Sequence, residues 1–303
     1  NKHFLFLRII QIMKSSIWLC LLYLLVTQSI YAQTQNDLEV FNLKGKIKTV
    51  RIERSKFITE GNENKEGRRE PQELMTFDEK GYYTERAGLT NSFTRKFAYQ
   101  YYPDGKIKER TDLVYSQNEV FTYTKNLIVK TTQLKDGHIL DKWIYHLDEN
   151  GKKIKEEYIL VDKNLGERLL SPPEIIVYKY NLQQKLIETA YFKADNSPAV
   201  GIIFPIHKYI NTYADRNRIS ERLGYKLDNT LIVKWAYKYN QMGLLEEATR
   251  FGLNLKPLSK ATYSEFDKAG NWTKSGTFKI SDKDGKTVIE PTEIEYRTIT
   301  YYP

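Results

Sequence analysis

A short unit returns about eight times along this 303-residue chain, and it constrains the fold more than any other feature. Its clearest copy runs from Tyr99 to Glu109: aromatic, any residue, aromatic, a polar turn with Gly or Asn, then apolar, any residue, Glu. Aligned on the aromatic residue before the turn, the copies centre on Phe77, Tyr101, Tyr123, Leu147, Tyr180, Tyr213, Tyr239 and Phe266, 22 to 33 residues apart. A repeat of that period is an array of supersecondary units that bury their apolar faces together. The alternation has period two, and the chain holds 23 Tyr and 13 Phe, which favours strands over helices.

Turn chemistry makes each unit a β-hairpin. Asp78-Glu-Lys-Gly81 suits a type I turn followed by a left-handed glycine. That loop pairs Phe77 with Tyr83, and the same rule pairs Tyr101 with Ile107, Tyr180 with Leu186, Tyr213 with Ile219, Tyr239 with Leu245 and Phe266 with Trp272. Two-residue turns pair Tyr123 with Ile128 and Leu147 with Ile154. Extending the ladders without interruption places Glu85, Glu109, Glu156, Glu188, Glu221 and Glu247 on the aromatic face as a marginal row. The opposite face then carries Lys106, Lys108, Lys153, Lys155, Lys179, Lys185, Arg218 and Lys238, interleaved with Tyr82, Tyr102 and Trp143.

The expected fold is all-β: an array of antiparallel hairpins, some sixteen strands, forming a large curled sheet, an open shell or a sandwich, since its apolar face needs cover. Residues 61–72 are strongly polar and read as a long surface loop, and residues 165–173 and 194–207 as loops between hairpins. The organisation expected is a signal peptide over 1–32 (with 1–12 upstream of the true start), a leader over 33–44 and a single β domain over 45–303. Met13-Lys14-Ser15-Ser16 is a basic start, residues 17–26 are apolar, and Ile30-Tyr31-Ala32 is a cleavage site by pattern. The apolar run is short for a membrane span, so no stable span is expected after cleavage. Cys20, the sole cysteine, lies within that run, so a mature chain has no disulfide, thiol nucleophile or cysteine-based zinc site.

The unit resembles the YD repeat of RHS-type proteins over roughly residues 75–275, and Phe266-Asp-Lys-Ala-Gly-Asn-Trp-Thr273 is the nearest copy, with Phe in place of Tyr. Asn replaces Asp at 181 and 240, and Gln184 or Asn217 replaces the turn glycine. The resemblance implies a hairpin-by-hairpin sheet, used as a shell around a cargo or as an extracellular recognition surface. The short form with a signal peptide is similar to cell-envelope members in Bacteroidetes-like bacteria.

No residue pattern marks an enzyme. His138 and His146, eight residues apart on one strand, would sit about 26 Å apart, too far to share a metal. Asp282-Lys-Asp-Gly285 lacks the spacing of a calcium loop and reads as a hairpin turn. The glutamate row recurs by repeat position, which suits structure better than a singular catalytic pair. The expectation is a non-catalytic, secreted or periplasmic binding or scaffold protein without cofactor or metal. A glycan or protein would meet the basic face formed by Lys106, Lys108, Lys153, Lys155, Lys185, Arg218 and Lys238. The formal charge of +9 permits this, and secretion argues against nucleic acid. Competing readings are an envelope glycan hydrolase using paired glutamates, and a shell or immunity-like partner of a secreted toxin.

Overall fold

The computed structural model describes residues 36–60, 63–89, 94–162, 174–193, 195, 206–215 and 218–303. The expected signal peptide and most of the two inter-hairpin loops therefore lie outside the described residues.

Eighteen antiparallel strands form one sheet: β1 (Ile47–Glu60), β2 (Glu63–Phe77), β3 (Tyr83–Gly88), β4 (Thr94–Tyr101), β5 (Ile107–Asp112), β6 (Gln117–Tyr123), β7 (Leu127–Leu134), β8 (Ile139–Leu147), β9 (Lys153–Leu160), β10 (Ile175–Tyr180), β11 (Leu186–Phe192), β12 (Lys208–Tyr213), β13 (Ile219–Tyr225), β14 (Leu231–Tyr239), β15 (Leu245–Phe251), β16 (Pro257–Phe266), β17 (Trp272–Lys283) and β18 (Lys286–Tyr301). Each pairs with its successor, and β18 pairs with β1 from Ile47–Tyr301 to Lys56–Glu293. The sheet thus closes into an 18-stranded barrel and is neither an open shell nor a sandwich. Closure removes both sheet edges.

The turns explain the repeated letters. In Asp78, Asp148, Asn181, Asn240 and Asp267 the side-chain oxygen Oδ1 accepts two backbone N–H groups of its own turn. An amide oxygen does this as well as a carboxylate, which is why Asn substitutes for Asp. Gln184 takes the left-handed place that Gly81 fills elsewhere, at φ 63° against 86°. The tyrosine before the turn also has a task that Phe cannot perform. Tyr180, Tyr213 and Tyr239 donate their hydroxyls to the carbonyls of Lys153, Leu186 and Ile219, the first strand residue after the preceding hairpin's turn, at 2.7, 3.0 and 2.9 Å. These three hairpins are each tied to the one before.

All predicted aromatic–apolar pairs are present except one. Leu147 faces Lys153, not Ile154, because Asp148 organises the longer turn and Ile154 becomes a bulge residue. Bulges beside the turn shift the register in six hairpins. They correct the expected glutamate row: Glu85, Glu109, Glu188, Glu221 and Glu247 face Thr76, Gln100, Lys179, Thr212 and Lys238. These glutamates point outward, and the next residue points in. A bulge adds twist and bend to its strand, so its recurrence curls the array steadily toward closure. Two residues out from the aromatic–apolar pair, an uninterrupted ladder requires Tyr145–Glu156, Phe121–Lys130 and Ser264–Lys274, and these three pairs form.

Residues 63–72 do not form the expected loop. Glu63–Phe77 is strand β2, exposed over most of its first ten residues because it extends beyond the body of the barrel. The N-terminal segment holds a four-residue helix, α1 (Asp37–Val40), capped by Asn36. It caps the rim where the repeat turns cluster: Asn36 donates to the Lys80 carbonyl, the Leu38 N–H to that of Gly81, and the Lys44 N–H to Asn271 Oδ1. Leu38 and Leu43 join Ile47, Val50, Ile52, Met75 and Phe77 in the densest part of the core.

Candidate functional site

An 18-stranded barrel is too wide for its lumen to be filled by side chains alone. A cavity of about 570 Å³ lies inside it, beneath the N-terminal segment and along β13 to β18 and β1. That size falls in the range of small-molecule sites. The walls follow from the register. β14 alternates inward Val233, Trp235, Tyr237 and Tyr239 with outward Lys234, Ala236 and Lys238, and β16 and β17 bring Tyr263, Phe266 and Trp272. Trp235 and Tyr263 are buried, while Tyr237, Tyr239, Phe266 and Trp272 are half-buried and present ring surface to the space.

Five arginines line the cavity (Arg54, Arg218, Arg222, Arg250 and Arg297) against two glutamates, Glu293 and Glu295. Both acids are engaged. Glu295 lies 3.1 Å from Arg54 and 3.5 Å from Arg297, and Glu293 lies 3.6 Å from Arg54. Burial raises the Glu293 carboxyl above its ordinary range and lowers the Arg297 guanidinium, which lies flat on Trp272 at 3.4 Å. Arg222 donates through Nε to Asn211 Oδ1 at 2.9 Å. Arg250 and Arg297 each have a buried Nε without a hydrogen-bond partner among the described residues, but Arg297 lies beside Glu295 and no ion pair joins Arg250 to an acid there.

The predicted basic face is not a continuous stripe. Lys153 belongs to the interior, where it meets Glu156 at 2.6 Å and approaches the rings of Tyr145 and Tyr178; the bulge at Ile154 put it there. Lys106, Lys185 and Arg218 follow their turns and reach over Tyr123, Tyr213 and Tyr239 of the next hairpin, at 5.4, 4.9 and 5.3 Å. Lys152 does the same over Tyr180 at 5.2 Å. Lys185 also donates to the Asp215 carbonyl, and Arg218 pairs with the Asp215 carboxylate. These cations join neighbouring hairpins. Lys155 and Lys238 lie outside, Lys155 beside Glu157 of its own strand at 2.8 Å and Lys238 opposite Glu247 at 2.9 Å, as Lys179 lies opposite Glu188 at 2.6 Å. Lys108 is exposed at a bulge. Tyr82 is buried against Tyr99 and Tyr101 rather than displayed, Trp143 lies inside beside Lys130, and Tyr102 is half-buried with its hydroxyl on the Phe121 carbonyl.

The exterior is therefore a cross-strand lattice of lysine and glutamate. The aromatic face of the sheet points inward. His138 and His146 bond Asp162 and Glu157 separately. Among the described residues no group of three or more His, Cys, Asp or Glu is placed to hold a metal, and no helix is long and apolar enough to cross a membrane.

Sequence reasoning missed the lumenal arginines. A signal was present: Arg86, Arg110 and Arg222 each follow a repeat glutamate, and one bulge is enough to turn that position inward.

No family model matches the chain, and no curated protein matches it. Among solved structures it has similarity to a chain described as TcdB2-TccC3-Cdc42, at 10% identity and TM-score 0.30, covering 77% of this chain and 14% of that one. It is also similar to a porin-like protein from Bacteroides uniformis, at 9% identity and TM-score 0.29, covering 85% and 99% of the two chains. A LolA superfamily protein from Nitrosomonas europaea aligns at 9% identity and TM-score 0.22, over 86% and 87%.

Proposed function

We propose that this protein is a non-catalytic binding protein that takes a saccharide into the lumen of its barrel. The observation that carries the reading is the cavity of about 570 Å³ walled by half-buried Tyr237, Tyr239, Phe266 and Trp272. Aromatic faces cover the apolar faces of sugar rings, and a few fixed polar groups orient the ligand. The signal-like N-terminus and the YD-like repeat support a secreted or periplasmic setting. They locate the ligand among envelope or extracellular glycans. Relative to the sequence expectation, the binding surface moves from the outer lysines to the lumen.

The test is calorimetric titration with oligosaccharides released from bacterial envelope, using Tyr239→Ala and Trp272→Ala as controls. Binding that both substitutions weaken at least tenfold, with folding intact, supports the reading. Equal binding by wild type and both variants places the ligand elsewhere.

Glycan hydrolysis is the second reading, favoured by Glu293 and Glu295 two residues apart on one face of β18, inside the cavity. Burial raises the Glu293 carboxyl, and a second carboxyl beside a raised one is the arrangement of an acid–base pair. Their shared contact with Arg54 fits a structural role better. Shorter products after incubation with the oligosaccharides, absent with Glu293→Gln, would reverse that preference.

A further inference from the structure

The cavity's charge is unbalanced in one place. Arg250 lies on β15 between Trp235 of β14 and Ser259 of β16. The inward residues around it are Val233, Tyr237, Ala248 and Ala261, and none is acidic. Among the described residues the only carboxylates in the wall, Glu293 and Glu295, already face Arg54 and Arg297. Arg250 thus holds a buried Nε with no acceptor among the described residues. A buried guanidinium normally has carboxylate or carbonyl partners, because desolvation without them is costly. Arg110 and Lys130 show the usual arrangement, sharing Glu119 at 2.6 and 3.2 Å, and Arg297, whose Nε is likewise without a hydrogen-bond partner, still has Glu295 at 3.5 Å.

From this we infer that the ligand is an anionic saccharide and that Arg250 receives its carboxylate or sulfate group, with Arg222 adding positive potential from the neighbouring wall. The inference rests on the saccharide reading above and sharpens it. A guanidinium fork suits either group, since both offer two oxygens at matching spacing. The half-buried rings beside it hold the sugar to which the anion is attached. A neutral sugar leaves Arg250 as it is and gains only the stacking.

The experiment is titration of the full chain with three probes of equal length: trigalacturonate, a sulfated galactan trisaccharide and neutral galactotriose. At least one anionic probe is expected to bind tenfold or more tightly than galactotriose, and to lose that advantage between 20 mM and 500 mM salt. Arg250→Gln should bring the anionic probe within threefold of the neutral one, without weakening the neutral one and without lowering the thermal midpoint. Arg250→Lys, which keeps the charge without the fork, should fall between. Equal affinity for neutral and anionic probes overturns the inference and leaves the saccharide reading intact. Anion preference unchanged in Arg250→Gln also overturns it. Absence of binding by all three probes removes the saccharide reading and the inference with it. The salt titration of the wild-type chain decides the matter even if Arg250→Gln does not fold.

Discussion

The two sides of the barrel are built from the same repeat and both turn cations inward, yet they treat them differently. Around β5 to β10 each inward cation meets an acid. Arg110 and Lys130 converge on Glu119, and Lys153 meets Glu156, which also accepts the Tyr178 hydroxyl at 2.8 Å. Burial opposes the Arg110 charge, but Glu119, Tyr83 and Tyr99 outweigh it and raise its pKa, while Arg110 and Lys130 overcome burial and lower that of Glu119. Around β13 to β18 the arginines outnumber the acids and a cavity opens. Paired inward charge is architecture. Inward charge without a partner lowers stability, and a chain retains it where something outside the chain supplies the counter-charge.

The comparison breaks most visibly at Glu119. Glu119→Gln strands Arg110 and Lys130 in the interior, and about 3–5 kcal/mol of stability should be lost. A denaturation midpoint that hardly moves would mean that water reaches these cations and that the two sides do not differ.

The next effect is pH-dependent and sits at the rim. Asp37 has its pKa raised to about 7 by burial, with Asp78 and Glu119 adding to the rise, and with the Tyr83 N–H bond and Arg110 opposing it. A carboxyl raised in the folded state binds its proton there more tightly than in the unfolded chain. Its contribution to stability is complete below about pH 4 and is lost as pH climbs through 7. Asp37→Asn keeps an acceptor for Tyr83 and has no charge to bury. It should match wild type near pH 4 and exceed it at pH 8 by on the order of 3 kcal/mol. Melting curves at the two pH values check this, and a constant offset would refute it.

Arg250→Met should move the other way, raising stability by about 1 kcal/mol, because a half-buried guanidinium with an unpaired Nε gives way to an apolar side chain. Substantial destabilisation in calorimetry would show that Arg250 is structural. The smallest effect belongs to the exterior. Lys238→Ala removes an exposed pair with Glu247 and should change stability by less than about 0.5 kcal/mol in the same assay.

Much of the fold was legible in local chemistry. Asp78, Asn181 and Gln184 identified their turns, and Phe77–Tyr83 or Tyr239–Leu245 followed by counting across them. The errors began one residue further out, where a bulge at Lys108 or Ile154 reversed the facing of what followed. Glu109 then turned out and Arg110 in, and Lys153 moved from the supposed outer face to the interior. Whether a strand absorbs an extra residue depends on how its neighbours pack, and a period-two pattern tolerates either outcome. The cavity was illegible for the same reason: Arg54, Arg222, Arg250 and Arg297 lie far apart in sequence and meet only after the register is settled on four different strands.

The amino-acid sequence by itself determined the hairpins, because each is decided within about ten residues by a turn that an Asp or Asn organises and by an aromatic pair beside it. Only the tertiary structure decided that the array closes. β1 finds β18 some 250 residues away, with Thr49 Oγ1 2.6 Å from Thr300 Oγ1 and the Tyr302 N–H donating to the Lys46 carbonyl. A strand edge offers the same backbone groups to any partner, so closure follows from the summed twist of eighteen strands and not from any local signal. That closure makes an inside, and with it the difference between an arginine that is paired and one that waits for a ligand.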